Sequence, residues 1–322
     1  MFQSAPQRKR IVVTGAAGFI GRHVAMALRA AGHEVVGCVR SPDEALAEQM
    51  PLWAQSLPSA SLANRLEEFQ PDWLVHCAGS SHVGRSFENP PADFEQNVSL
   101  THFLYETLAR VSPRTHTVLL SSAAVYGQPA ELPITEATPV VPLSPYGFHK
   151  YLAEVTAQQW HQEAGLSTLI LRVFSAYGPG LRKQVLFDIY QKSRAGKVIE
   201  LAGSGDEQRD FVHISDLVRT ISWAIENQPA GYQLLNFASG RSITIRELAK
   251  RFLSELNWRG TLRFNRVNPP GMPTCWRAAP TRLQALGLLP QVGLEEGLSD
   301  YAKWLLTQEG VPHEAGIVAA TG

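Results

Sequence analysis

A tyrosine and a lysine stand four residues apart in SPYGFHK, residues 144–150. Four residues make about one helical turn, so Tyr146 and Lys150 share a face once this segment is helical. A free phenol has a pKa near ~10 and exchanges its proton poorly at neutral pH. An ammonium beside it, joined by a positively charged ring, favours the phenolate and lowers that value. Upstream, the apolar run HTVLLSS (116–122) ends on two serines. A serine hydroxyl at such a position can hold and orient a carbonyl oxygen. Ser122 is the expected carbonyl-facing hydroxyl, with Ser121 as the neighbouring alternative. Ser122, Tyr146 and Lys150 together suit hydride transfer at a ketone or an alcohol, because a proton must move when the hydride does. The set is direction-neutral, so the substrate decides the net reaction.

Something must bring these groups together, and the first half of the chain alternates strand and helix signals. IVVT (11–14) is a short apolar run, followed by GAAGFIG (15–21) and the helical rhythm of RHVAMALRAAG. EVVGCV, DWLVHCAG and HTVLLSSA are further apolar runs. Strand and helix repeats of this kind build a parallel sheet. The predicted fold class is α/β: a Rossmann-type doubly wound parallel sheet with a smaller mixed C-terminal substrate-binding lobe. The expected division is 8–175 for the dinucleotide domain and 176–309 for the second lobe, with segments exchanged between them. Residues 310–322 read as a loose tail.

The glycine run predicts the cofactor class. Gly15 permits a tight turn after the strand, Gly18 lets backbone approach a pyrophosphate, and Gly21 allows close helix–sheet packing. Phe19 and Ile20 then open a helix whose N–H groups can meet phosphate. The second strand ends GCVRSP (37–42), where an NAD site often carries Asp or Glu. With Val39 at the tip, Arg40 and Ser41 are expected to meet a 2′-phosphate, favouring NADP(H) over NAD(H). Ala78 and Gly79 are small enough for the cofactor to lie close, and Ser80, Ser81 and His82 follow on its far side. Asn97 opens a helix and is expected to make a structural hydrogen bond.

Composition narrows the partners. The 322 residues carry 29 basic and 29 acidic side chains, so no general field points to nucleic acid. Cys38, Cys77 and Cys275 resemble neither a disulfide framework nor a zinc site, and no metal is expected. No run of 18 apolar residues suggests a membrane span, and MFQSAPQRKR lacks the apolar stretch of a secretion signal. A cytoplasmic enzyme is the expectation.

TGAAGFIG (14–21), SSAAVYG (121–127), YGFHK (146–150), LRVFSAYGPG (171–180) and DEQRDFVHISDL (206–217) together resemble the extended short-chain dehydrogenase/reductase family, within it the nucleotide-sugar epimerases, dehydratases and 4-ketoreductases. The resemblance spans about Ile11 to Leu305. It implies Ser122, Tyr146 and Lys150 as the catalytic trio, and a nucleoside-diphosphate sugar as substrate. It also implies a homodimer formed through the helices near Asn97 and Tyr146. Dehydratases of the family usually follow the serine with acidic residues, whereas Ala123 and Ala124 stand here and supply neither acid nor base. The resemblance puts Ser175 and Arg209 near the sugar or its phosphates; Ser80 and His82, beyond a strand's carboxyl end, and Arg182, after the glycine-rich loop, are further candidate substrate contacts. Lys183 shares the position after the glycine-rich loop, and a structural ion pair with Asp210 or Asp216 is the alternative for Arg209. The arginine tip favours an NADPH-dependent reductase of a nucleoside-diphosphate 4-keto(deoxy)hexose. The alternative is a nucleotide-sugar 4-epimerase holding NAD(P) tightly, with a transient 4-ketosugar.

Overall fold

The computed structural model describes residues 8–308. Apolar residues in the early strands are covered on both sides. Along β1 (Arg10–Thr14), Ile11 and Val13 enter one core and Val12 the other. Alternation along a strand sends successive side chains to opposite faces, so a continuous apolar run marks a sheet buried on both.

The chain continues through α1 (Phe19–Ala30), β2 (Glu34–Val39), α2 (Glu44–Ala47), β3 (Leu52–Ala54), α3 (Ala60–Phe69) and β4 (Trp73–His76). Two short helices, α4 (Val83–Glu88) and α5 (Pro90–Phe94), lead through a π-helical turn at Glu95–Ser99 into α6 (Leu100–Val111). Next come β5 (His116–Ser122), a 3₁₀ turn at Ala123–Tyr126, and the long α7 (Pro145–Ala164). β6 (Thr168–Val173) and β7 (Ser175–Tyr177) precede α8 (Gln184–Ala195), β8 (Val198–Leu201), β9 (Gln208–His213) and α9 (Ile214–Asn227). The remainder is β10 (Tyr232–Phe237), β11 (Ser242–Thr244), α10 (Ile245–Glu255), β12 (Thr261–Phe264), α11 (Thr281–Ala285) and α12 (Leu294–Thr307).

Seven parallel strands form the main sheet in the order β10-β6-β5-β4-β1-β2-β3. The order reverses at β1, and ligands of open parallel sheets bind at that switch point, beyond the strands' carboxyl ends. Helices α1 and α9 cover one face through Val24, Leu28, Leu217 and Ile221. Helices α3, α6 and α7 cover the other through Leu62, Leu66, Leu104, Ala153 and Ala157. A three-stranded sheet (β11-β9-β7) and a two-stranded one (β12-β8) belong to the second, mixed lobe. Its core gathers Leu186, Ile189, Leu248, Phe252, Leu298 and Tyr301. Phe19 packs against both that core and the core under α1. Among the described residues no helix is long and apolar enough to cross a membrane.

Candidate active site

The turn after β1 is built for close approach. Gly15 has φ +67°, and a Cβ there would lie 2.7 Å from the backbone nitrogen of Ala78. A Cβ on Gly21 would collide with the carbonyl oxygen of Gly15. Gly18 caps α1 with no side-chain bond, which leaves the first-turn N–H groups of Phe19 and Ile20 without that competitor. Ala78 and Gly79 (φ +134°) follow β4 on the neighbouring strand end. These features fit a dinucleotide pyrophosphate. Gly21→Ala is expected to cost about 1–3 kcal/mol through overpacking. Thermal denaturation, with cofactor occupancy measured on the same sample, checks this.

β5 delivers both serines, and they part company. Ser121 is buried and donates its hydroxyl proton to Glu154 Oε1. Ser122 faces the other way, accepts from the backbone N–H of Ala124 at 3.1 Å, and shares a hydrogen bond with Tyr146. Helix α7 reaches this spot because Ser144 caps it, accepting from Gly147 N at 3.1 Å, and Pro145 opens its first turn. Gly147 is then needed for contact: a Cβ there would lie 2.5 Å from the carbonyl oxygen of Ala124. Ser122, Tyr146 and Lys150 thus come together at the carboxyl end of β5.

Burial sets the electrostatics of the protein alone. Tyr146 is 9% exposed, and its pKa is pushed up to about 12 by burial, opposed by the Ser122 hydrogen bond and reinforced by Asp93. Burial lowers Lys150 to about 8, while Glu154, Asp93 and Cys77 pull it back up. The protein alone therefore does not lower the phenol, because burial outweighs every favourable contact to it.

A network absent from the sequence reading lies behind the trio. Arg172 on β6 grips Glu154 with two bonds, Nε to Oε1 at 2.9 Å and Nη2 to Oε2 at 2.6 Å. Its Nη1 donates to the Tyr126 hydroxyl at 2.9 Å, and Tyr126 donates to Asn236 Oδ1 at 2.7 Å. Glu154 is four residues past Lys150, as Lys150 is past Tyr146. Continuing that spacing would have found it.

Other predicted positions scatter. Ser80 and Gly79 lie on the loop after β4, while His82 caps α4 by accepting from Arg85 N at 3.2 Å. Ser81 receives a hydrogen bond from Lys183, which joins this loop to the segment before α8. Asn97, in the π-helical turn, donates to the carbonyl of Asp93 at 3.1 Å. Ser175 starts β7, half-buried. Arg182 is exposed, donates to Gln308 at 3.1 Å and lies over the Trp304 ring at 5.5 Å. Arg209 is buried and donates to the carbonyls of Gln208 (2.8 Å) and Pro273 (2.7 Å). It pairs with neither aspartate. Asp210 instead accepts from Ser239 and Gly240, and Asp216 binds Arg219, Gln291 and Val292. The tail at 310–322 lies outside the described residues.

Arg40 and Ser41 are exposed beyond the end of β2. The carboxylate missing from the strand tip comes four residues later: Asp43 caps α2, accepting from Leu46 N at 2.9 Å, and pairs with Arg22 at 2.5 Å. The cation nearest the glycine turn is thereby matched by an acid, and Arg40 is left on the surface.

A glycine turn at the switch point of a parallel sheet, with Ser122, Tyr146 and Lys150 one strand end away, is the working end of an extended short-chain dehydrogenase/reductase. The chain belongs to the NAD dependent epimerase/dehydratase family, whose model matches residues 11–237. The UDP-glucose 4-epimerase of Mycolicibacterium smegmatis is 31% identical over 310 residues, covering 90% of this chain and 96% of that protein. MoeE5, solved with UDP-glucuronic acid and NAD, superposes with a TM-score of 0.85 at 29% identity, covering 93% of this chain and 99% of its own. The UDP-glucose 4-epimerase of Thermus thermophilus, solved with NAD, gives a TM-score of 0.83 at 25% identity over 92% of this chain and 99% of its own.

These relatives overturn two expectations. The preference for NADP(H) through Arg40 fails, since both solved relatives hold NAD and Arg40 stands on the surface. The NADPH-dependent 4-ketoreductase fails with it, because that reading rested on the arginine tip, and two of these relatives are 4-epimerases. The missing acid at the tip of β2 was an unsafe marker of a 2′-phosphate.

Proposed function

We propose that this chain is an NAD-dependent nucleotide-sugar 4-epimerase. The observation that carries the reading is the meeting of Ser122, Tyr146 and Lys150 at the sheet's switch point in a chain whose relatives include 4-epimerases, one of them solved with NAD. The substrate is a nucleoside-diphosphate hexose or hexuronate, the sugars named in the relatives.

Gly15, Gly18 and Gly21 would hold the pyrophosphate against the start of α1, with Ala78 and Gly79 beside the rest of the cofactor. NAD supplies a reversible acceptor for the hydride at C4. Tyr146 takes the proton of the C4 hydroxyl and later returns it to the oxygen of the 4-ketosugar. Ser122 holds that oxygen in both directions. Lys150 keeps positive charge next to the phenolate, which burial would otherwise forbid. Rotation of the ketosugar between the two proton transfers would present its opposite face to the cofactor side of the cleft. Arg209, Arg182 and Ser175 are proposed on the diphosphate and sugar side, with Ser80 and His82 across the cleft. The working boundary between cofactor and sugar lobes falls near residue 175, with 232–237 returned to the main sheet. Phe148 and Val155 lie seven residues apart on α7, exposed by 51% and 42%, and support a homodimer through that helix.

Incubating the purified protein with UDP-glucose, and separately with UDP-glucuronic acid, without added cofactor tests this reading. Proton NMR should show the C4 epimer growing to a fixed ratio. No epimer from either sugar, with folded and NAD-loaded protein, contradicts it.

A further inference from the structure

The sheet order fixes which way a dinucleotide must lie, and it brings an acid to the end that does no chemistry. The glycine turn after β1 is seated on β2: the N–H groups of Gly15 and Ala16 donate to the carbonyl of Cys38 at 2.9 and 3.3 Å. A Cβ on Gly37 would come within 2.8 Å of the Ala16 side chain, so β2 is bare where the turn rests on it. Ser122, Tyr146 and Lys150 meet on the other side of β1, at the end of β5. A cofactor with its pyrophosphate on the turn and its reacting ring toward β5 leaves its adenosine over the end of β2. The tip of β2 offers it nothing: Val39 is buried in the core under α1, and Arg40 and Ser41 are exposed. The first carboxylate beyond the tip is Asp43, 22 residues after Gly21. It is half-buried and turned back toward α1. Its Oδ2 pairs with Arg22 Nη2 at 2.5 Å, and its Oδ1 accepts from Leu46 N at 2.9 Å.

We propose that Asp43 selects NAD over its 2′-phosphorylated form, through a carboxylate that accepts the adenosine ribose hydroxyls and an arginine that it keeps occupied.

Several effects act in the same direction. A carboxylate oxygen can accept more than one hydrogen bond, and each oxygen of Asp43 has one printed by the fold, so each keeps room for a ribose hydroxyl. A phosphate on that hydroxyl would set like charge against like, which works against binding. Arg22 stands in the first turn of α1, directly after Gly21, and its backbone N–H donates to the carbonyl of Gly18. Its guanidinium would suit a phosphate, but Asp43 already holds it. Glu44, the next acid in the chain, is exposed on α2. Asp43 is the acid that the pair with Arg22 turns toward the glycine turn. The sequence hid this because the acid comes after the strand has ended, and only the fold of the loop brings it back.

This role for Asp43 rests on the NAD-dependent reading above, but its test needs no sugar and no turnover. The full-length protein is equilibrated with an equimolar excess of NAD and NADP, and the bound nucleotides are released by denaturation and quantified by chromatography. The unaltered protein should hold mainly NAD. Asp43→Asn keeps an acceptor for Leu46 N and for the ribose and removes the charge. The ratio of bound NADP to bound NAD should then rise about tenfold or more. Adding Arg22→Gln to that variant should remove most of the gain, because the released guanidinium is gone. Asp43→Ser, whose hydroxyl can also cap a helix, takes the place of Asp43→Asn if that variant does not fold. A pair that only ties α2 to α1 would lower the melting temperature and leave the ratio unmoved. An unchanged ratio in folded, nucleotide-loaded Asp43→Asn or Asp43→Ser overturns the proposal. Unaltered protein that takes up NADP in preference, or neither nucleotide, overturns both the proposal and the NAD-dependent reading. A ratio that shifts as described in a protein that forms no C4 epimer leaves Asp43 in its role and sinks the reaction.

Discussion

Tyr146→Phe is expected to lower epimerisation by about 10²–10⁴-fold, the usual contribution of a positioned acid–base group. Fold and bound NAD should survive. The ring is buried, and phenylalanine fills the same space. What disappears is the hydroxyl that bonds Ser122. With that hydroxyl gone, neither Ser122 nor Lys150 can take its place at the C4 oxygen. Ser122 is a poor base, and Lys150 must stay charged. Turnover measured beside cofactor absorbance and melting temperature separates loss of chemistry from loss of structure. Full turnover in Tyr146→Phe would mean that another group moves the proton.

The second large effect is on stability. Glu154→Gln should cost about 3–5 kcal/mol, because removing one partner of a buried pair strands the other charge. Arg172 is 5% exposed and Glu154 2% exposed, so water cannot take over. The guanidinium already spends one amino group on Tyr126 and stacks over that ring at 4.8 Å. A glutamine can accept only where Glu154 Oε1 or Oε2 stood, and its amide nitrogen faces a donor. Urea denaturation of the two proteins gives the difference. A change under about 1 kcal/mol would show that the pair is as weak as a surface bridge. Ser121 keeps its acceptor only if the glutamine carbonyl takes the Oε1 position, which leaves the amide nitrogen against Arg172 Nη2.

The parts of this structure that were legible in the sequence are those set by local pattern. The apolar runs at 11–14, 73–76 and 116–122 are continuous because both sheet faces are covered, and they read as strands for that reason. Gly15 and Gly21 announce a close turn because no other residue fits there. Tyr146 and Lys150 announce a shared face through their spacing alone. Contacts made by distant segments stayed hidden. Nothing near Asp93 in the chain says that His149 will face it, 56 residues away. Nothing near Glu154 says that β6 will bring Arg172 to it. The cofactor reading failed at a similar point. The residues beyond Val39 were legible, but which of them turns inward was a fact of the fold: Asp43 folds back to cap α2 and meet Arg22, while Arg40 stays outside. The ammonium was visible in the sequence, and the depth of burial that raises the phenol in the protein alone was not.

An epimerase working as proposed moves hydride from C4 and back to C4 of the same sugar within one turnover. Following UDP-glucose deuterated at C4, or the matching uronate, tests it most directly, with the protein carrying only its own NAD. The expected product is the C4 epimer with the deuterium still at C4 and no net change in cofactor absorbance. Deuterium appearing in added nicotinamide, or product formed only when reduced cofactor is consumed, would contradict it.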